Sequence, residues 1–214
     1  MLFYLAIILS AASVIALLNI FFVVPNSTMG APYVFWATIL DVVLVIVIDG
    51  ATAWLVNRFP KKIYNHKTRF FTVSAKEKSF YEKLKIRKWK DKIPELGALG
   101  GFKKDRLENP ADNVYVEKFL VECCCGEIVH ILSLFTGFLI LLFFAPVRWT
   151  VGLPVAIVNF ILNLPSLFIL RYNSYKLEIL YKNNARKAAR AKAAAPILAK
   201  EETIEQIAAA RADV

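Results

Sequence analysis

Residues 119–145 read FLVECCCGEIVHILSLFTGFLILLFFA. Only Glu122, Glu127 and His130 interrupt this run with ionisable groups. An apolar stretch of more than about 18 residues is a candidate membrane-spanning helix. A charged side chain in such a segment costs roughly 2.5–3.5 kcal/mol on insertion scales, so it normally faces a bundle interior or a wet cavity. Working outward, three further stretches qualify. Leu2–Val24 and Trp149–Leu170 carry no charge, and Ala31–Val56 carries only Asp41 and Asp49. Leu2–Val24 lacks the basic leader and short apolar core of a signal peptide, so it reads as a retained helix. The expected fold is all-α, a polytopic membrane protein of about four transmembrane helices.

The charge distribution orients these spans. Of the 27 Lys and Arg residues, 17 lie in 57–118, 9 in 171–214, and the remaining one is Arg148. Basic loops stay on the cytoplasmic side. The expected topology therefore has both termini cytoplasmic in a cell membrane, with Pro25–Gly30 and Pro146–Arg148 on the far side. The net charge of +10 then reads as topology and attraction to the anionic lipid bilayer, not as nucleic-acid binding. Four segments follow: a transmembrane hairpin (1–56), a basic cytoplasmic loop (57–118), a second hairpin carrying the polar residues (119–173), and a basic Ala-rich tail (174–214). The cysteines are consecutive, Cys123, Cys124 and Cys125. Neighbours on a helix diverge by about 100°, so together they do not form a metal site.

Within the loop, Ser79–Lys92 mixes Phe80, Tyr81, Leu84, Ile86 and Trp89 with six bases. That pattern suits a basic amphipathic helix lying on the headgroups, ended by Pro94. Gly97, Gly100 and Gly101 lack phosphate-loop spacing, while Leu96, Leu99 and Phe102 are expected to touch the membrane. In the last span, Pro154 and Pro165 suggest a kink. The tail reads as a surface helix, a break at Pro196, and a short helix over Ile197–Arg211.

Depth organises the polar residues. At about 1.5 Å rise per residue from boundaries near Asn57, Phe119 and Arg171, Asp49, Glu127 and Asn163 all lie about 12 Å deep and His130 about 16 Å. Three helices thus bring polar groups to one level, which implies a pocket open to the cytoplasmic leaflet. Glu127 and His130, at i and i+3, share a helix face. The carboxylate can orient the imidazole, and the imidazole can accept a hydroxyl proton. A structural interhelical hydrogen-bond cluster is the competing reading. Glu-x-x-His metal sites need a second such pair, and the other histidine, His66, lies in the loop, so no metal or cofactor is expected. Asp49-Gly50-Ala51-Thr52-Ala53-Trp54 lacks the arginine and downstream aspartates of the CDP-alcohol phosphotransferase signature.

Arg87-Lys88-Trp89-Lys90-Asp91-Lys92-Ile93, then Glu127-x-x-His130, Asn163-Leu164-Pro165 and Arg171-Tyr172-Asn173 form an ordered series. From about Arg58 to Leu177 the chain resembles the glycosyl-4,4'-diaponeurosporenoate acyltransferase family of bacterial membrane proteins. The extra N-terminal sequence, the Ala-rich tail, and Lys83 and Lys85 near Trp89 depart from the family's pattern. The resemblance implies transfer of a fatty acyl group from an activated donor, acyl-CoA, to a hydroxyl of a lipid-linked sugar such as a glycosylated carotenoid. Chemistry then suggests the roles. His130 would be the base, Glu127 its orienting partner, and Asn163 a donor to the developing oxyanion. Arg87, Lys88, Lys90 and Arg171 would hold the donor's phosphates, and Trp89 would stack on its adenine or sit among headgroups. Tyr172 and Asn173 would close the pocket mouth, and Asp49 would line it. The alternatives are a non-enzymatic membrane adaptor and a related transferase with another donor or acceptor.

Overall fold

The structure is a computed structural model describing residues 2–93 and 107–212, with side chains for 4–91, 93 and 107–196. Pro94, Leu96, Gly97, Leu99, Gly100, Gly101 and Phe102 lie outside the described residues. Helix α1 (Leu2–Leu18) runs into a wider turn at Asn19–Val23. Helix α2 spans Ala31–Arg58. Pro32 favours its first turn, and Pro60 follows its end, where the ring cannot continue the helix. Two short helices follow, α3 (Ala75–Lys83) and α4 (Ile86–Trp89). Helix α5 (Asn113–Thr136) tightens into a 3-10 stretch, Gly137–Leu142, and α6 runs from Leu153 to Ala212. No strand occurs among the described residues.

Four helices are long and apolar enough to cross a membrane: Tyr4–Asn26, Ala31–Arg58, Asn113–Leu142 and Ala145–Pro196. The expected all-α, four-span architecture is therefore the one observed. One apolar core joins α1, α2, the 3-10 stretch and the start of α6 through Ile15, Val34, Ala37, Val45, Ile140, Val151 and Val155. Away from it, α5 packs along α6 through Val116, Phe119, Leu120, Cys123, Leu170 and Leu177. Outward-facing Phe21, Phe22, Trp36, Val47 and Phe135 remain exposed, as side chains facing hydrocarbon would be.

The basic segment is docked onto one end of this bundle. Asp112 accepts from Val114 N at 2.9 Å and so caps α5. Ser74 accepts from Glu77 N at 3.2 Å and caps α3. The anticipated single helix over Ser79–Lys92 is instead broken at Lys85, which has φ 53°. The turn lets Tyr81 and Ile86 bury together against Ile169 and Tyr172 of α6. Phe80 and Leu84 are left 47% and 39% exposed.

The tail also differs from expectation. No separate second helix forms, because α6 continues through both Pro165 and Pro196. A proline removes one N–H, and the Ala-rich flanks of Pro196 have the highest helix propensity of any residue type.

Candidate active site

Two polar clusters lie along the α5–α6 seam. The first is centred on Glu127, which is fully buried. Its Oε1 accepts from Ser174 Oγ at 2.8 Å, and its Oε2 from Arg171 Nη1 at 2.9 Å. Arg171 also forks onto Glu77, through Nε to Oε1 and through Nη2 to Oε2 at 2.9 Å. It further donates to the Phe70 carbonyl at 3.2 Å. One guanidinium therefore ties α3 and the segment before it to both α5 and α6. Tyr81 Oη donates to Glu77 at 2.5 Å. Burial opposes ionisation of Glu77, but the bonds from Arg171 and Tyr81 outweigh it and hold its carboxyl below the usual range. Burial and the Glu77 charge push the Tyr81 phenol up.

The second cluster is centred on Asn163. Its Nδ2 donates to Asp49 Oδ2 at 3.2 Å and lies 3.1 Å from the Asn159 carbonyl and 3.2 Å from Asn159 Oδ1. Its Oδ1 lies 2.9 Å from His130 Nδ1. An amide oxygen only accepts, so Nδ1 carries the hydrogen and the neutral ring's lone pair is on Nε2. Asn159 Nδ2 reaches Asp49 Oδ1 at 3.4 Å and the Ser133 carbonyl at 3.3 Å. Gly137 makes this approach possible, because a Cβ there would sit 2.5 Å from Asn159 Nδ2. Asn159 and Asn163 are buried, whereas Asp49 and His130 are only half-buried. The cluster thus has an inner amide scaffold and a more open imidazole.

These contacts set where the expected site residues lie. Glu127 shares a helix face with His130, but both its oxygens are engaged by Arg171 and Ser174, and Asn163 is the residue seen orienting the ring. Asn163, expected as an oxyanion donor, directs its amide protons at Asp49 and Asn159. Arg171, expected at a donor phosphate, is paired instead with two carboxylates, Glu77 and Glu127. Trp89 donates from Nε1 to the Leu84 carbonyl at 2.9 Å and packs, partly buried, against the α3–α4 docking cluster. Tyr172 is buried in that cluster, with Lys176 Nζ 4.4 Å from its ring centroid, so it seats α3 and α4 where a closing pocket mouth was expected. Asn173 is half-buried beside it. Lys90 pairs with Asp91 at 2.8 Å. Arg87 and Lys88 are exposed and make no ion pair among the described residues.

Glu77, Asn159 and Ser174 are site residues that pattern reading missed. Ser74-x-x-Glu77 was legible as a helix-capping box, but nothing in it signals that the glutamate turns to Arg171. Nearby, buried His66 lies 2.8 Å from Glu178 through Nδ1 and 3.6 Å from Glu117 through Nε2. It borders a cavity of about 100 Å³ that Cys124, Ser174 and Lys182 also line. A larger apolar groove of about 700 Å³ lies between α1 and α6, bounded by Ala6, Ser10, Val14, Pro154 and Ile157. Among the described residues, no group of three His, Cys, Asp or Glu side chains gathers to hold a metal ion.

A helical bundle with four helices of membrane-spanning length, enclosing a cluster of an imidazole, two amides and a carboxylate, defines a class, the polytopic membrane-protein fold. Residues 60–183 match the glycosyl-4,4'-diaponeurosporenoate acyltransferase family, and the chain belongs to that family. The matched range takes in α3, α4, α5 and the half of α6 that carries Asn159, Asn163, Arg171 and Ser174. It agrees with the extent of the resemblance read from the sequence. The protein is therefore an acyltransferase. No curated protein and no solved structure matches the chain.

Proposed function

We propose that the protein transfers a fatty acyl group from a thioester donor, acyl-CoA, to a hydroxyl of a lipid-linked sugar at the cytoplasmic face of a cell membrane. The observation that carries this reading is the line Asp49–Asn163–His130, which orients a half-buried imidazole with its hydrogen on Nδ1. A sugar hydroxyl is a weak nucleophile, and a positioned base contributes about 10²–10⁴-fold. His130 Nε2 takes the hydroxyl proton as the oxygen bonds to the thioester carbonyl carbon. The C–S bond then breaks, and the imidazolium returns the proton to the departing thiolate. The products are an ester and a free thiol, and no redox partner is needed.

The remaining features fit this reading. Arg87 and Lys88 are available for donor phosphates at the basic end. The α1–α6 groove has the apolar character that a hydrocarbon chain of either substrate requires. A glycosylated carotenoid is the acceptor that the family points to. The test supplies the protein in lipid nanodiscs with isotopically labelled palmitoyl-CoA and a glycosylated carotenoid, followed by mass spectrometry of the lipid extract. The expected product is the acceptor plus one palmitoyl group in ester linkage to the sugar. Recovery of unmodified acceptor, with enzyme and donor intact, would reject this acceptor and donor pair.

A further inference from the structure

Helix α6 does not stop where the α5–α6 packing ends. Among the described residues its last side-chain hydrogen bond is from Asn184, which donates to the Pro110 carbonyl at 2.8 Å. Residues 187–196 are all exposed, and Arg186 just before them is also exposed. This rod carries Arg186, Lys187, Arg190 and Lys192 among alanines, with no acidic residue between Glu178 and Glu201. None of the four makes an ion pair among the described residues. Arg186 and Arg190 are one turn apart and share a face. The rod also lies beyond the family match, which ends at 183.

Position separates this charge from the membrane. Counting from Arg171 at about 1.5 Å per residue, Arg186 stands about 22 Å and Lys192 about 32 Å along the helix axis. Headgroup attraction fades within a Debye length, about 8 Å at physiological salt. As the continuation of a spanning helix, the rod carries its charge away from the headgroups. It also has no apolar face to insert between lipids, unlike an interfacial helix. Its exposed surface has no aromatic side chain on which nucleic-acid bases could stack. What remains is an exposed positive surface, without an ion pair among the described residues, on the helix that also carries Asn159 and Asn163 of the site that, on the reading above, consumes acyl thioesters.

We propose that the α6 rod docks a small acidic protein that carries the acyl chain as a thioester. This rests on the proposed acyl transfer. The carrier would be the donor itself or deliver the chain alongside acyl-CoA. Its acidic surface would meet Arg186, Lys187, Arg190 and Lys192, leaving its thioester arm to reach the membrane-level site.

The experiment uses the full chain in phosphatidylcholine nanodiscs and a palmitoyl-loaded acidic bacterial acyl carrier protein as the probe. Binding is expected, and it should weaken at least about tenfold when salt rises from about 50 to about 500 mM. The combined variant Arg186→Glu, Lys187→Glu, Arg190→Glu, Lys192→Glu should also weaken it at least about tenfold, while palmitoyl-CoA turnover changes less than about twofold. Equal binding by the variant overturns the proposal. So does absence of binding by the unaltered protein, or tighter binding of a DNA duplex than of the carrier. Acyl transfer from palmitoyl-CoA without carrier binding would leave the proposed function standing and remove only this inference. Carrier binding without transfer from either donor would do the reverse.

Discussion

The cluster around Glu127 and the cluster around His130 lie one helical turn apart on α5 and balance their polarity differently. At Glu127 full charges oppose full charges. Arg171 satisfies one carboxylate inside the bundle and another, Glu77, on the docked segment. At His130 a neutral amide faces the ring, and the carboxylate of Asp49 is one residue further away. The first arrangement is sealed by charge pairing and resists change. The second holds a half-buried ring through an uncharged amide, so no guanidinium is locked against it. A structural brace and the reactive group of the proposed function have opposite requirements, and adjacent turns of α5 place one cluster for each.

The largest test of this contrast is removal of Arg171. Arg171→Ala leaves the fully buried Glu127 without its cation, and it should cost about 3–5 kcal/mol. Thermal unfolding in detergent measures that loss. Arg171→Lys should recover only part of it, because a lysine cannot fork across two carboxylates. A melting temperature unchanged by Arg171→Ala would remove the brace. Next comes Asn163→Leu, which takes away the acceptor of His130 Nδ1 and the donor to Asp49. The maximal rate should fall about a hundredfold, the lower end of what a positioned base is worth, with KM nearly unchanged. A KM effect alone would make Asn163 a substrate contact.

Gly137→Ala should be milder. Its Cβ would push Asn159 off Ser133 and Asp49, costing about 1–3 kcal/mol as overpacking does, and activity should fall with stability. Full stability in this variant would mean that Asn159 repacks freely. The smallest effect concerns pH. The folded Glu77 carboxyl titrates below its ordinary value of 4.5. Its pairing therefore contributes stability above that value, and the contribution fades as pH falls through the lower folded value. Glu77→Gln should flatten the stability curve below about pH 4.5 and lower it at neutral pH. An unchanged acid limb would assign the loss to other carboxylates.

The spans were legible because each apolar run exceeds the length a bilayer needs, and Asp41 and Asp49 are too few to obscure the second. Counting residues at constant helical rise put Asp49, Glu127 and Asn163 at one level and His130 about 4 Å deeper, so the neighbourhood of both clusters was legible. The partners were not. Spacing of i and i+3 puts Glu127 and His130 on one face, but rotation of α5 against α6 decides which side chain each one meets. Arg171 and Ser174 lie almost one turn apart on α6, and together they take both oxygens of Glu127. The long guanidinium stem carries its head across to Glu77, which no local pattern encodes. Continuity of α6 past Pro196 was hidden because proline reads as a break, while the propensity of the surrounding alanines prevails.

The central claim is that His130, set by Asn163, is the base of acyl transfer. It is tested most directly by the rate of palmitoyl transfer catalysed by His130→Gln in nanodiscs, in protein whose melting temperature matches the unaltered enzyme. The account predicts a loss of about 10²–10⁴-fold. A rate within a few-fold of the unaltered enzyme would contradict it.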